Sequence, residues 1–261
     1  MPTPFMHLAL AERLIDDPML PSGIRQLMRA EWGAFLLGSI APDARRSGGQ
    51  TRASTHFFEY GPVISPPALT AMLQRYPALR RAAISEDARA AFVAGYAAHL
   101  AMDEVWCVRM LFPYFVWEDG SPQLEMRLFH ILLAILDTRD RTHIPASQYT
   151  ALRLVAPQGW LPFMSDADLI AWRDLVAGQL APGGESQSLR ILGRSVGLTA
   201  ETLAALMDDR AHRDMLNARV SAEVIATVET AMYDAVRMAL IAYTGYTGDA
   251  VEAPTRAAPV D

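Results

Sequence analysis

His99 and Asp103 stand four residues apart in the segment GYAAHLAMDEVW. On a helix that spacing is about one turn, so both side chains can reach one point in space. At about 100° per residue, Phe92, Gly95, Tyr96, Met102, Trp106 and Met110 fall within about 60° of His99. The imidazole and carboxylate therefore share an apolar face, where a carboxylate is costly without partners. A metal ion would supply them. Taken alone, the pair reads first as a hydrogen-bonded contact in the core.

Other residues change that reading. His7 shares a helical face with Leu10, Ala11 and Leu14. Asp43 follows the apolar run Gly38-Ser39-Ile40-Ala41-Pro42, and His56 follows Thr55 and precedes Phe57-Phe58. Each is ordinary by itself. Together they place several nitrogen and oxygen donors in the first half of a chain with one cysteine, Cys107. That mix suits zinc with an open coordination position better than a closed structural site. His130 and Asp137 also share a helix face, but seven residues is about 10.5 Å of axial rise. They are expected to serve different ions, or one orients a ligand of the other's ion, or they form a buried hydrogen-bonded pair. Arg45, Arg46 and Arg52 lie between two of the donors, and guanidinium groups grip phosphate oxygens bidentately. His143 and His212 read as surface residues.

The elements that must position these groups are helical almost throughout, since alternating strand patterns are hard to find. Helices are expected near Pro4–Asp16, Ser22–Ile40, Pro67–Leu73, Glu86–Leu111, Pro122–Asp137 and Ser147–Val155. Pro42 to Pro67 reads as loop. Ser165 starts a helix running to about Leu180, closed by Pro182-Gly183-Gly184, and Thr199 caps another. Val220, Val224, Val228, Met232, Val236 and Leu240 recur every four residues and mark a long last helix, stopped by Gly245. The expected organisation is a single all-α domain over residues 1–245 with a disordered tail, 246–261.

Composition narrows the function classes. The chain has 261 residues, 51% hydrophobic, with a net charge of −6. That is too apolar for disorder and too acidic for a duplex-DNA binder. All 23 basic residues are arginine, so Schiff-base and P-loop lysine chemistry are excluded. No run approaches the roughly 18 apolar residues of a membrane span, and the N-terminal segment does not read as a signal peptide. A cytoplasmic location is the expectation.

The ordered set of His7, Gly38-Ser39-Ile40-Ala41-Pro42-Asp43, Thr55-His56 and His99-x-x-x-Asp103 resembles the zinc-dependent phospholipase C family and its shorter bacterial branch. That family shares an all-helical, metal-centred architecture with the single-strand-specific nucleases. The likeness covers about residues 1–140. It implies that Asp43, His56, His99 and Asp103 hold one zinc, and that His7 belongs to a further site bridged by Asp103. The family's secreted enzymes also use their mature N-terminal residue there, whereas six residues precede His7 here. A second His-x-x-x-acid pair is expected, but Ala134 stands four residues after His130. The resemblance thus implies one or two zinc ions rather than three.

The activity implied is hydrolysis of a small phosphoester or phospholipid by metal-activated water, with Asp43 relaying the proton. A nuclease or nucleotide phosphatase is the alternative within the same superfamily. A non-catalytic, metal-stabilised interaction protein with a partly decayed site is the alternative outside it. The aromatic run Trp106 to Trp117 reads as core packing before it reads as a lip for acyl chains.

Overall fold

The computed structural model describes residues 1–116 and 121–245, apart from the side chains of Arg46 and Ser47. The expected tail, Trp117 and the Arg46 side chain therefore lie outside the described residues. Among those described there is no strand, and 74% of the structure is helical. The helices are α1 (Pro4–Leu14), α2 (Ser22–Ala30), α3 (Trp32–Ile40), α4 (Arg45–Gly48), α5 (Arg52–His56), α6 (Ala68–Arg75) and α7 (Asp87–Trp106). They continue as α8 (Phe112–Phe115), α9 (Pro122–Arg141), α10 (Ala146–Leu154), α11 (Asp166–Leu180), α12 (Ser188–Ser195), α13 (Ala200–Asp208), α14 (Arg210–Arg219) and α15 (Ala222–Thr244).

α7 is the axis of the bundle. Every residue from Ala90 to Asp103 is buried, so this stretch has no solvent face at all. The expected apolar stripe is really an apolar cylinder, enclosed chiefly by α3 and α15. Phe92, Tyr96, Leu100 and Trp106 are fully buried. Each such side chain contributes about 1.5–3 kcal/mol in apolar transfer. α3 and α7 touch backbone to backbone through two glycines. A Cβ on Gly38 would lie 1.9 Å from the Phe92 carbonyl oxygen, and one on Gly95 would lie 2.1 Å from that of Phe35. No larger residue allows that approach.

Caps place several boundaries where the sequence puts them. Ser165 and Thr199 accept from the backbone N–H of Asp168 and Thr202. Gly245 ends α15 in the left-handed region at φ 65°. Other boundaries differ. The expected Ser22–Ile40 helix breaks at Glu31, which leaves the helical region at φ −117°, ψ 42°. The break lets Gly33 pack against the Ala151 carbonyl of α10. The expected loop from Pro42 contains a 3₁₀ turn, Ala41–Ala44, and then α4 and α5. Thr51 caps α5 by accepting from Ser54 N–H. α7 ends as an α-helix at Trp106 and continues as a π-turn, Cys107–Leu111. α12 and α14 are short helices that apolar periodicity does not reveal; Asp209 caps α14. Within the aromatic run Trp106 and Phe115 are buried, Phe112 and Tyr114 are half-buried and Val116 is exposed. No helix among the described residues is long and apolar enough to cross a membrane.

Candidate metal centre

Four separate elements bring the donors together: α1 carries His7, the 3₁₀ turn carries Asp43, α5 ends on His56, and α7 carries His99 and Asp103. His7, His56 and His99 are 1–3% exposed and Asp103 is fully buried. Asp103 is the hub. Its Oδ1 lies 3.5 Å from His7 Nε2, while its Oδ2 lies 3.4 Å from His56 Nε2 and 3.7 Å from His99 Nε2. Asp43 Oδ1 is 3.8 Å from His56 Nε2. The His7 and His99 rings stack in parallel, 3.8 Å apart. Ligand atoms of His7, His99 and Asp103 all lie within 4.8 Å of one another, so this buried group could hold a metal ion.

Hydrogen bonds outside the cluster aim the rings. His99 Nδ1 donates to the Ser39 carbonyl at 2.8 Å. A carbonyl only accepts, so in the neutral ring the Nε2 lone pair faces inward. Thr55 donates its hydroxyl to the Arg52 carbonyl and accepts from His56 Nδ1 at 3.0 Å, which turns the His56 Nε2 lone pair inward too. The two Nε2 atoms stand 3.4 Å apart. Lone pairs thus face lone pairs and a carboxylate, an arrangement only a proton or a cation relieves. His7 Nε2 and Asp103 Oδ1 are buried with no hydrogen-bond partner, which is costly for atoms with nothing to bind.

The electrostatics keep His7 and His56 neutral beside the Asp103 anion, while His99 is drawn toward its charged form. Burial, together with the neighbouring His99, lowers His7 to about 4. Burial lowers His56 to about 3, against the pull of Asp103 and Asp43. Burial also opposes charge on His99, but the Asp103 carboxylate outweighs it and raises its pKa. Asp103 is desolvated yet held well below the usual carboxylate range by His99, His7 and His56. Zinc–nitrogen bonds of about 2.0–2.1 Å in a tetrahedron separate ligand atoms by about 3.3 Å. Separations come close to that on both sides of Asp103: 3.5 Å from Oδ1 to His7 Nε2, and 3.4–3.8 Å among Oδ2, His56, His99 and Asp43.

Among the arginines, Arg52 enters the cluster. Its Nη2 donates to Asp103 Oδ2 at 2.9 Å and its Nη1 to the Phe58 carbonyl at 3.3 Å. Its guanidinium lies 4.3 Å from the Phe58 ring and 4.4 Å from that of Tyr60. Arg45 Nε is buried without a partner. His130 and Asp137 are not brought to the cluster. His130 donates from Nδ1 to the Met126 carbonyl of its own helix. Asp137 faces the hydroxyls of Thr3 and Ser188 and the charge of Arg141. Burial raises its pKa above the usual carboxylate range, and those three groups only partly offset this. Folding therefore favours its protonated form, and stability falls as pH rises from about 4, the ordinary Asp value, through the raised one. Asp137→Asn is expected to remove that slope: its Tm advantage over the native chain should grow from pH 4 to pH 7. A constant difference across that range would refute the assignment.

Residues that the spacing does not single out also build the centre. The Ser39 carbonyl is invisible to a side-chain motif search. The Tyr96 hydroxyl donates to the Thr55 carbonyl, fixing the end of α5 against α7. Trp172 Nε1 donates to the Ile40 carbonyl at 2.8 Å, so α11 buttresses the turn that carries Asp43. Asp43 also borders a cavity of about 70 Å³ shared with Thr3, Trp172, Gln179 and Ser188. The chain matches no protein-family model, no curated protein and no solved structure, so its functional reading rests on its own residues and their geometry.

Proposed function

We propose that the chain is a zinc-dependent phosphoesterase of the phospholipase C type, acting on a small phosphodiester or a phospholipid. The observation that carries this reading is the convergence of three imidazoles on Asp103, with buried unpartnered atoms on His7 and Asp103. The donor set favours zinc: it is imidazole and carboxylate, and Cys107 instead points its thiol at the Gly61 carbonyl. His7, His56, His99, Asp103 and Asp43 would hold the metal. When bound, zinc supplies Lewis-acid chemistry that makes water a competent nucleophile near neutral pH.

The protein's own groups do the rest. The Asp43 side chain is 15% exposed against 1% for those of His56 and Asp103, so it is the carboxylate at the edge of the cluster. There it takes up the proton released by the attacking water. Arg45, with its unpaired Nε, grips a phosphoryl oxygen. Phe58 also lines an open groove of about 450 Å³, with Phe57, Val63, Ile64 and Arg75, that offers room for an apolar substituent. The test is hydrolysis of bis-p-nitrophenyl phosphate, lost on chelation and restored by zinc. Parallel assays with a phosphocholine ester and with single-stranded DNA separate lipase-type from nuclease-type substrates. A zinc-loaded chain that cleaves none of the three would refute the reading.

One observation favours a second reading, a metal-stabilised protein without turnover: the three histidines are almost wholly enclosed. That reading predicts a zinc-dependent rise in Tm with no hydrolysis.

A further inference from the structure

The two oxygens of Asp103 have different surroundings. Oδ1 is buried, lacks a hydrogen bond and lies 3.5 Å from His7 Nε2. Oδ2 already accepts from Arg52 Nη2 at 2.9 Å, while also lying 3.4 Å from His56 Nε2. A carboxylate that bridges two metal ions gives one oxygen to each. Here the oxygen on the His56 side is engaged by a guanidinium. That guanidinium is firmly held: two aromatic rings flank it within 4.4 Å and the Phe58 carbonyl takes a second N–H. Its side chain is only 14% exposed.

We propose that Arg52 supplies the second positive charge of this centre, so that the chain takes one divalent ion although its donors could serve two. The inference rests on the metal-centre reading above. Charge arithmetic supports it. With neutral imidazoles, two aspartates and Arg52, one divalent ion leaves one positive charge in excess, which a phosphodiester anion would cancel. Two ions would leave three positive charges in excess in an almost fully buried site, where uncompensated charge is heavily penalised. A second ion on Oδ2 would also stand next to the guanidinium and be repelled by it. Arg52 is thus a positioning residue: it fixes Asp103 and sets how many ions the site accepts.

Native mass spectrometry and elemental analysis of the full chain, titrated with zinc, count the ions. The native chain and R52K are expected to saturate at one ion each, and R52Q at two. The proposal is overturned if the native chain binds two ions, if R52K takes a second, or if folded R52Q stays at one. A native chain that binds none overturns this inference together with the metal-centre reading, whereas a count of two overturns this inference alone. Should R52Q fail to fold, the counts for the native chain and R52K still decide.

Discussion

His99→Ala is expected to abolish zinc binding and, with it, any phosphodiesterase activity. His99 is the ring through which the other donors meet: its Nε2 stands 3.4 Å from that of His56 and 3.7 Å from Asp103 Oδ2, and its face stacks on His7. Losing a residue that merely orients a metal ligand costs about 10–100-fold in affinity, so loss of the donor itself should exceed about 100-fold. The substitution also leaves the Ser39 carbonyl without its partner and opens a cavity against His7. The metal-free variant should therefore unfold earlier in urea, by an amount zinc no longer recovers. Equilibrium dialysis with elemental analysis is the direct measurement. His143→Ala, at an exposed histidine, is the control expected to bind as the native chain does. Zinc retained by folded His99→Ala at native affinity would remove His99 from the site.

Gly95→Ala should be among the most damaging single methyl groups in the protein. Inside a helix this change ordinarily stabilises by about 0.5–1 kcal/mol. At position 95 the added carbon would lie 2.1 Å from the Phe35 carbonyl oxygen and 2.8 Å from the Ser39 nitrogen. Both are backbone atoms of α3 and cannot swing aside as a side chain would. The helices must separate, and overpacking of that severity costs about 3 kcal/mol or more. Separation also draws the Ser39 carbonyl away from His99, so zinc affinity should fall along with stability. Gly178→Ala provides the contrast: that position lies in α11, and an added methyl there would meet nothing within 4 Å, so it should stabilise slightly. Urea midpoints for the two variants should move in opposite directions. An unchanged midpoint for Gly95→Ala would contradict the glycine contact.

The sequence exposes the chemistry of the centre better than its supports. His99 and Asp103 are legible because helical spacing is a local property, and both lie on the helix that becomes the axis of the bundle. His7, Asp43 and His56 are legible only as residue types on apolar or rigid segments; that His7 and His56 meet on Asp103, with Asp43 beside His56, is a tertiary fact. The role of Arg52 is not legible. Its place between two donors suggests a phosphate clamp, yet the side chain is on Asp103, held by Phe58 and Tyr60. The Ser39 carbonyl cannot be found by any side-chain pattern, because backbone acceptors are the same at every position. For the fold, the Val220–Leu240 stripe and the caps at Ser165 and Thr199 carry their own signal. The break at Glu31 does not, since it answers to Gly33 packing on α10, far along the chain. His130 and Asp137 share a face as their spacing requires, but a common face does not make a common site.

The full enclosure of α7 between Ala90 and Asp103 has one more consequence. A helix with a wet side can fray or open on that side while the rest of the domain stays folded. This one has no such side, so its opening must take its neighbours with it, and His99 and Asp103 can part only when the bundle itself comes apart. Ligand release through local breathing of this helix is thereby closed off. Occupancy of the cluster and global folding become one linked equilibrium: whatever binds here guards the whole domain against unfolding, and whatever loosens α15, which packs on α7, loosens the cluster.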